Sequence, residues 1–198
     1  MAPPAFEKAV ACGGYHGELR SLIHLLKYSG MEPIAARLAI LLADSVGAFG
    51  EAFDESATVF VIPVPMHASK KRRRGFNQAE LLATATIREL RRRHPQWDLR
   101  LQPSLLERVK VTASQAGLTN HQRRQNLRGA FFAPAPARLE GRDVLLLDDV
   151  YTTGTTARAC SRVLKNAGAR SVRVATVGRA QRHVVASWDT GFLQSAVN

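Results

Sequence analysis

Val144-Leu145-Leu146-Leu147-Asp148-Asp149-Val150-Tyr151-Thr152-Thr153-Gly154-Thr155-Thr156 is the stretch that decides the fold. Four apolar residues in a row, at 144–147, suit a strand buried on both faces, as in a parallel sheet. Two carboxylates, Asp148 and Asp149, stand where that strand is expected to end. A Thr-rich loop containing Gly154 follows. Behind it, small or apolar residues at Thr156, Cys160, Val163, Leu164 and Ala167 mark one face of a helix, and Gly168 stands at its close. Residues 172–177 read as the next strand. The unit is strand, phosphate-type loop, helix, strand.

The chemistry of that unit follows from its geometry. The unpaired N–H groups at a helix start, backed by the helix dipole, attract a phosphate. Thr152, Thr153, Thr155 and Thr156 add hydroxyl donors, and Gly154 lets the backbone close around an anion without a Cβ in the way. Asp148 and Asp149 would repel that phosphate at close range. They suit sugar hydroxyls, or a divalent cation held through water. A ligand with a phosphate at one end and a diol beside it meets both demands: a ribose 5-phosphate. A Walker A loop is excluded because no Gly-Lys-Ser/Thr follows the strand, and a dinucleotide fingerprint because G-x-G-x-x-G is missing.

These thirteen residues resemble the binding motif of the type I phosphoribosyltransferases. The resemblance implies that Asp148 and Asp149 attend the ribose hydroxyls of phosphoribosyl pyrophosphate, and that Thr152, Thr153, Gly154, Thr155 and Thr156 hold its 5-phosphate.

Working outward, apolar helical patterns run through 18–27, 33–46 and 76–93. Short strands are expected at 8–12, 59–64, 105–111 and 130–132. Strands alternating with helices argue for an α/β fold, a mostly parallel twisted sheet with helices on both faces. In such a sheet the strand ends near 65 and 148 share one edge, and ligands bind outside it. The segment after residue 65 carries Lys70, Lys71, Arg72, Arg73 and Arg74, read as a loop. Five consecutive cations repel one another unless an anion joins them. A pyrophosphate held by Lys and Arg together with Mg²⁺ would do so. The same run also suits nucleic acid.

Here the resemblance narrows to the ComF family of phosphoribosyltransferase-like proteins. Pro63-Val64-Pro65, the basic run, and Arg74-Gly75-Phe76-Asn77-Gln78 are similar to one family motif. Tyr15-x-Gly17-x-Leu19-Arg20-x-x-Ile23-x-x-x-Lys27-Tyr28-x-Gly30 is similar to a second. Lys110-x-Thr112-x-x-Gln115-x-x-Leu118, with Arg123 and Asn126, is similar to a third, a flexible loop. Arg128-Gly129-Ala130-Phe131 leads on from it, so the match covers roughly residues 9–179.

The resemblance implies a type I phosphoribosyltransferase fold and Mg²⁺ as cofactor. It implies Asp148, Asp149 and Arg74 as catalytic groups, with the two aspartates holding the metal indirectly. Lys70, Lys71, Arg72, Arg73 and Lys110 would bind substrate. Segment 108–128 would close as a lid. The implied partners are phosphoribosyl pyrophosphate and, by the competence proteins of the family, single-stranded DNA and other parts of the DNA-uptake machinery. Many members carry an N-terminal cysteine-rich zinc ribbon, and this chain begins just after the place where one would end. The ribbon is therefore expected to be missing from it. No acceptor-reading pattern stands out, and the basic clusters at 88–94 and 123–128 leave a DNA-handling reading open.

Composition sets the frame. A length of 198 residues suits one domain, organised as a lead-in (1–14), a phosphoribosyltransferase-like domain (15–179) and a tail (180–198). Lys and Arg total 28 against 16 Asp and Glu, a formal charge of +12 that implies an anionic partner. Cys12 and Cys160 read as reduced thiols of a cytoplasmic protein. No apolar run approaches the roughly 18 residues of a membrane span. The histidines show no metal-ligand spacing.

Overall fold

The computed structural model describes residues 3–49, 57–110, 122 and 125–180. Most of the lid segment and the whole of 181–198 lie outside these residues.

The organising element is a five-stranded sheet in the order β1-β7-β6-β2-β3, every neighbouring pair parallel. Its strands are β1 (Lys8–Gly14), β2 (Val59–Pro63), β3 (Leu99–Leu101), β6 (Asp143–Tyr151) and β7 (Ser171–Arg179). β4 (Glu107–Arg108) and β5 (Phe131–Phe132) form a separate antiparallel pair. Residues 8–14, placed in the lead-in by sequence, are the edge strand of the main sheet.

Central burial explains the apolar runs. All five residues of β2 and the first five of β6 are buried. Alternation along β6 sends Leu145 and Leu147 to one face and Val144 and Leu146 to the other. On the first face pack α1 (Gly17–Ser29), α2 (Glu32–Gly47) and α4 (Gln78–Arg93), through Ile23, Leu38, Leu42, Leu82 and Leu90. On the second pack α5 (Thr155–Asn166), through Cys160 and Leu164, and the β4–β5 segment, through Leu105, Leu106 and Phe131. No helix among the described residues is long and apolar enough to cross a membrane.

Four expectations need correcting. The basic run at 70–74 is a helix, α3 (Ala68–Arg74). His67 caps its start by accepting from the Ser69 N–H, and Gly75, at φ 87°, caps its end. Lys and Arg are good helix formers, and in a last turn they offset the dipole. Second, β6 does not stop at the aspartates. Pairing with β7 continues through Asp148↔Thr176, Val150↔Gly178 and Tyr151↔Arg179. Third, of the strand expected at 105–111 the described residues form only a two-residue strand, because Pro103 opens a tight 3₁₀ turn through Leu105. Fourth, β3 was not expected. Three residues in the pattern Leu-Arg-Leu are too few to stand out.

Candidate functional site

The chain passes from β2 outward to β3, and from β6 outward to β7 on the opposite side. The crevice between β2 and β6 is thus where strand order diverges, the usual place for a ligand in an open parallel sheet. Val64 extends that pairing by donating its N–H to the Leu147 carbonyl at 2.8 Å. The segment leading into α3 and the turn leading into α5 then rise from neighbouring strand ends.

Because β6 continues, Asp148 and Asp149 point to opposite faces. Asp149 follows Leu147 toward α1 and α4. Its Oδ2 accepts from Gln78 Nε2 at 3.0 Å and lies 3.1 Å from Lys27 Nζ. Gln78 Oε1 in turn accepts from Arg74 Nη1 at 2.8 Å, and the Arg74 guanidinium lies 5.7 Å from the centre of the Tyr28 ring. Asp149 is buried, so these partners are what make its carboxylate tolerable there. Asn77, also buried, caps α4 by accepting from the Ala79 N–H at 3.2 Å and donates to the Val64 carbonyl at 3.1 Å. It thereby fixes where Gln78 starts the helix.

Asp148 follows Leu146 toward α5. Its Oδ1 accepts from the Asp149 N–H at 2.8 Å. Burial first, and then the Asp149 carboxylate, push its pKa up to about 8 against the pull of Lys27 and Arg108. Burial lowers the pKa of Arg108, which is held over the Phe131 ring at 5.5 Å, against smaller opposing effects of Cys160 and then Asp148.

The turn after β6 is built for close approach. Gly154 has φ 72°, and a Cβ there would lie 2.2 Å from the Tyr151 hydroxyl. Thr153 Oγ1 and Thr155 Oγ1 are 2.7 Å apart, and the Thr155 N–H donates to Thr153 Oγ1 at 3.4 Å. Thr152 is exposed and Thr156 half-buried. The space beneath, edged by Asp148, Thr155 and Thr176, is only about 20 Å³. That is room for a water. An anion would therefore sit at the mouth of the turn, against the first N–H groups of α5.

Helix α3 sorts its cations. Lys70 and Arg74, one turn apart, share a face. The Lys70 pKa is lowered by burial, then by Arg74, Arg108 and Lys27. Since Lys70 as a residue is exposed, the converging cations are the part of that shift that bears on ligand binding. Lys71 turns away to pair with Glu80 at 2.9 Å, and Arg72 and Arg73 are exposed. Lys110 donates to the Arg128 carbonyl at 3.0 Å. Among the described residues no group of three or more His, Cys, Asp or Glu side chains gathers to hold a metal.

Sequence reasoning gave no role to Lys27, Gln78 or Arg108. Lys27 and Gln78 stood inside quoted motifs, but only the packing of α1 and α4 across the end of β6 brings them to Asp149. Nothing local marks Arg108. Gly30 shows the same long-range logic: at φ 61° it closes α1, and a Cβ there would lie 2.5 Å from the Phe76 ring.

Comparison with known proteins agrees with this architecture. Residues 77–192 match the model of the "Phosphoribosyl transferase domain" family. The chain is 34% identical over 172 residues to "DNA utilization protein YhgH" of Escherichia coli (strain K12), covering 87% of this chain and 72% of that protein. It is 34% identical over 178 residues to "Competence protein F" of Haemophilus influenzae, covering 89% and 75%. A hypoxanthine phosphoribosyltransferase from Trypanosoma cruzi superposes with a TM-score of 0.45 at 10% identity, over 75% of this chain and 64% of that one. A likeness at that level carries no detail of the site. The chain belongs to the phosphoribosyl transferase domain family, in its ComF branch.

Proposed function

We propose that the crevice between β2 and β6 binds phosphoribosyl pyrophosphate with Mg²⁺, and that the protein transfers the phosphoribosyl group to an acceptor, releasing pyrophosphate. The observation that carries this reading is the convergence of three parts at one strand edge. They are the Gly154 turn at the start of α5, the Asp148–Asp149 pair, and Lys70 with Arg74 on one face of α3. The turn suits the 5-phosphate, the aspartates suit the ribose hydroxyls, and the α3 cations suit the pyrophosphate.

The donor set fits Mg²⁺ in an indirect way. Two carboxylates on opposite faces of a strand cannot both clasp one ion directly, but Asp148 can hold a hydrated one through water. Bound with its ligand, Mg²⁺ would spread the charge of the departing pyrophosphate. The chain's own part is to fix the ribose, to supply Lys70 and Arg74 beside the leaving group, and to hold the Asp149 side chain in place through Lys27 and Gln78. As pyrophosphate leaves, C1 of the sugar becomes oxocarbenium-like, as in glycoside hydrolysis. A carboxylate nearby lowers the cost of that charge.

A second reading keeps the pocket as a regulatory or vestigial site in a protein that handles single-stranded DNA. The names of the two relatives and the +12 charge favour it. The two readings part at α3, which buries no residue and so tolerates change. Lys70→Gln with Arg74→Gln is expected to weaken phosphoribosyl pyrophosphate at least tenfold more than ribose 5-phosphate in calorimetric titrations with Mg²⁺. Unchanged discrimination, with a shallower salt dependence of single-stranded DNA binding, would move the assignment to the second reading.

A further inference from the structure

Helix α5 has two working faces. Ala157, Cys160, Ser161 and Leu164 face the sheet and are buried. Residues 155, 158, 159, 162 and 163, spaced as one continuous helical stripe, line an open cavity of about 450 Å³ bounded on its other side by residues 125, 127, 128, 129 and 131. That volume is within the range of small-molecule sites. Its apolar wall is Leu127, Phe131 and Val163, and its rim carries Arg128, Arg158 and Arg162. Among the described residues no carboxylate lines it. Three guanidinium groups around one mouth repel one another unless an anion is shared, and guanidinium suits phosphate. An apolar wall has no use for a bare phosphate. It calls for a ligand with a flat, poorly hydrated body attached to the charge.

We propose that this cavity is a second ligand site, for a nucleoside monophosphate, with the phosphate at Arg128, Arg158 and Arg162 and the base against Leu127, Phe131 and Val163. It lies outside the β2–β6 crevice but touches it through Thr155, which edges both spaces. Its occupant is thus placed to influence the phosphate turn. The limited volume favours a single nucleotide over a strand, which needs an open groove with stacking platforms along it.

The test uses the full chain with ribose 5-phosphate at saturation, so that the phosphate turn is filled. Deoxyadenosine monophosphate is then titrated calorimetrically, with adenosine as the uncharged control. Binding of the monophosphate and no heat from adenosine are expected. Arg158→Gln with Arg162→Gln should weaken binding at least tenfold, as should Val163→Trp, which intrudes on the apolar wall where the base would lie. The arginine variant changes only the helix rim, so it keeps the test open should the tryptophan variant not fold. Asp148→Asn with Asp149→Asn, titrated with ribose 5-phosphate raised until it saturates that variant, should leave monophosphate affinity unchanged, which separates this site from the phosphoribosyl reading. No binding, or equal affinity in wild type and the arginine variant, would overturn the proposal. So would oligothymidylate binding at least tenfold tighter per nucleotide and sensitive to the same arginines, since the site would then belong to a strand.

Discussion

At the scale of single residues, two positions answer for the chemistry. Gly154 combines positive φ with a neighbour that a methyl group would strike. Gly154→Ala therefore meets both backbone strain and the Tyr151 hydroxyl. A loss of about 1–3 kcal/mol in stability is expected, read as a lower midpoint in urea, together with weaker ribose 5-phosphate binding. Equal midpoints would show that the turn relaxes freely. Asp148 governs pH dependence. Its folded pKa, pushed up to about 8, lies above the ordinary carboxylate value, so the folded state holds the proton more tightly. The stability this provides is complete below about pH 4 and is lost as pH rises through 8. Asp148→Asn cannot ionise and should lack this part of the decline. Stability curves of wild type and variant that run parallel between pH 5 and 9 would contradict the desolvated setting of Asp148 beside Asp149. Sequence marked both residues, since glycine in a phosphate turn and an acidic pair at a strand end are local signals. It could not say that the aspartates diverge, because that depends on how far β6 pairs with β7.

At the scale of elements, the site rests on how α3 and α4 begin and end. His67 and Gly75 bracket α3, and Asn77 starts α4 only three residues after Arg74. Arg74 and Gln78 then bond across the break and reach Asp149. Asn77→Ala removes a buried cap and leaves the Val64 carbonyl unpaired. It should cost about 1–3 kcal/mol and, by shifting Gln78, weaken ligand binding as well. Lowered stability with unchanged affinity would detach the cap from the site. The basic run was legible as an anion-seeking segment but not as a helix. Charge repulsion suggested a loop, whereas the caps at either end favour helix and fan the cations apart. Only Lys70 and Arg74 share the face that meets the other cations, while Lys71 is taken by Glu80.

At the scale of the molecule, the unbroken apolar runs at 59–64 and 144–147, with the largely apolar 172–177, made a parallel sheet legible from sequence, because strands buried on both faces need near-continuous hydrophobicity. The three-residue β3 and the Asp149–Lys27 contact were not legible. They depend on chain order in the sheet and on packing between segments over a hundred residues apart. The far end of the sheet offers a control. Asp143 is buried there and accepts from Arg170 Nε at 3.0 Å and Ser171 Oγ at 2.6 Å, away from the crevice. Asp143→Ala should cost about 2 kcal/mol in stability and leave ligand affinity unchanged, as read by urea midpoint and calorimetry. The most direct test of the crevice itself is calorimetric titration of phosphoribosyl pyrophosphate with Mg²⁺ into wild type and into Asp148→Asn with Asp149→Asn, both confirmed folded by circular dichroism. Saturable binding by wild type, and affinity reduced at least tenfold in the double variant, is the expected result. Equal affinity in the two proteins would contradict the placement of the ribose between β2 and β6.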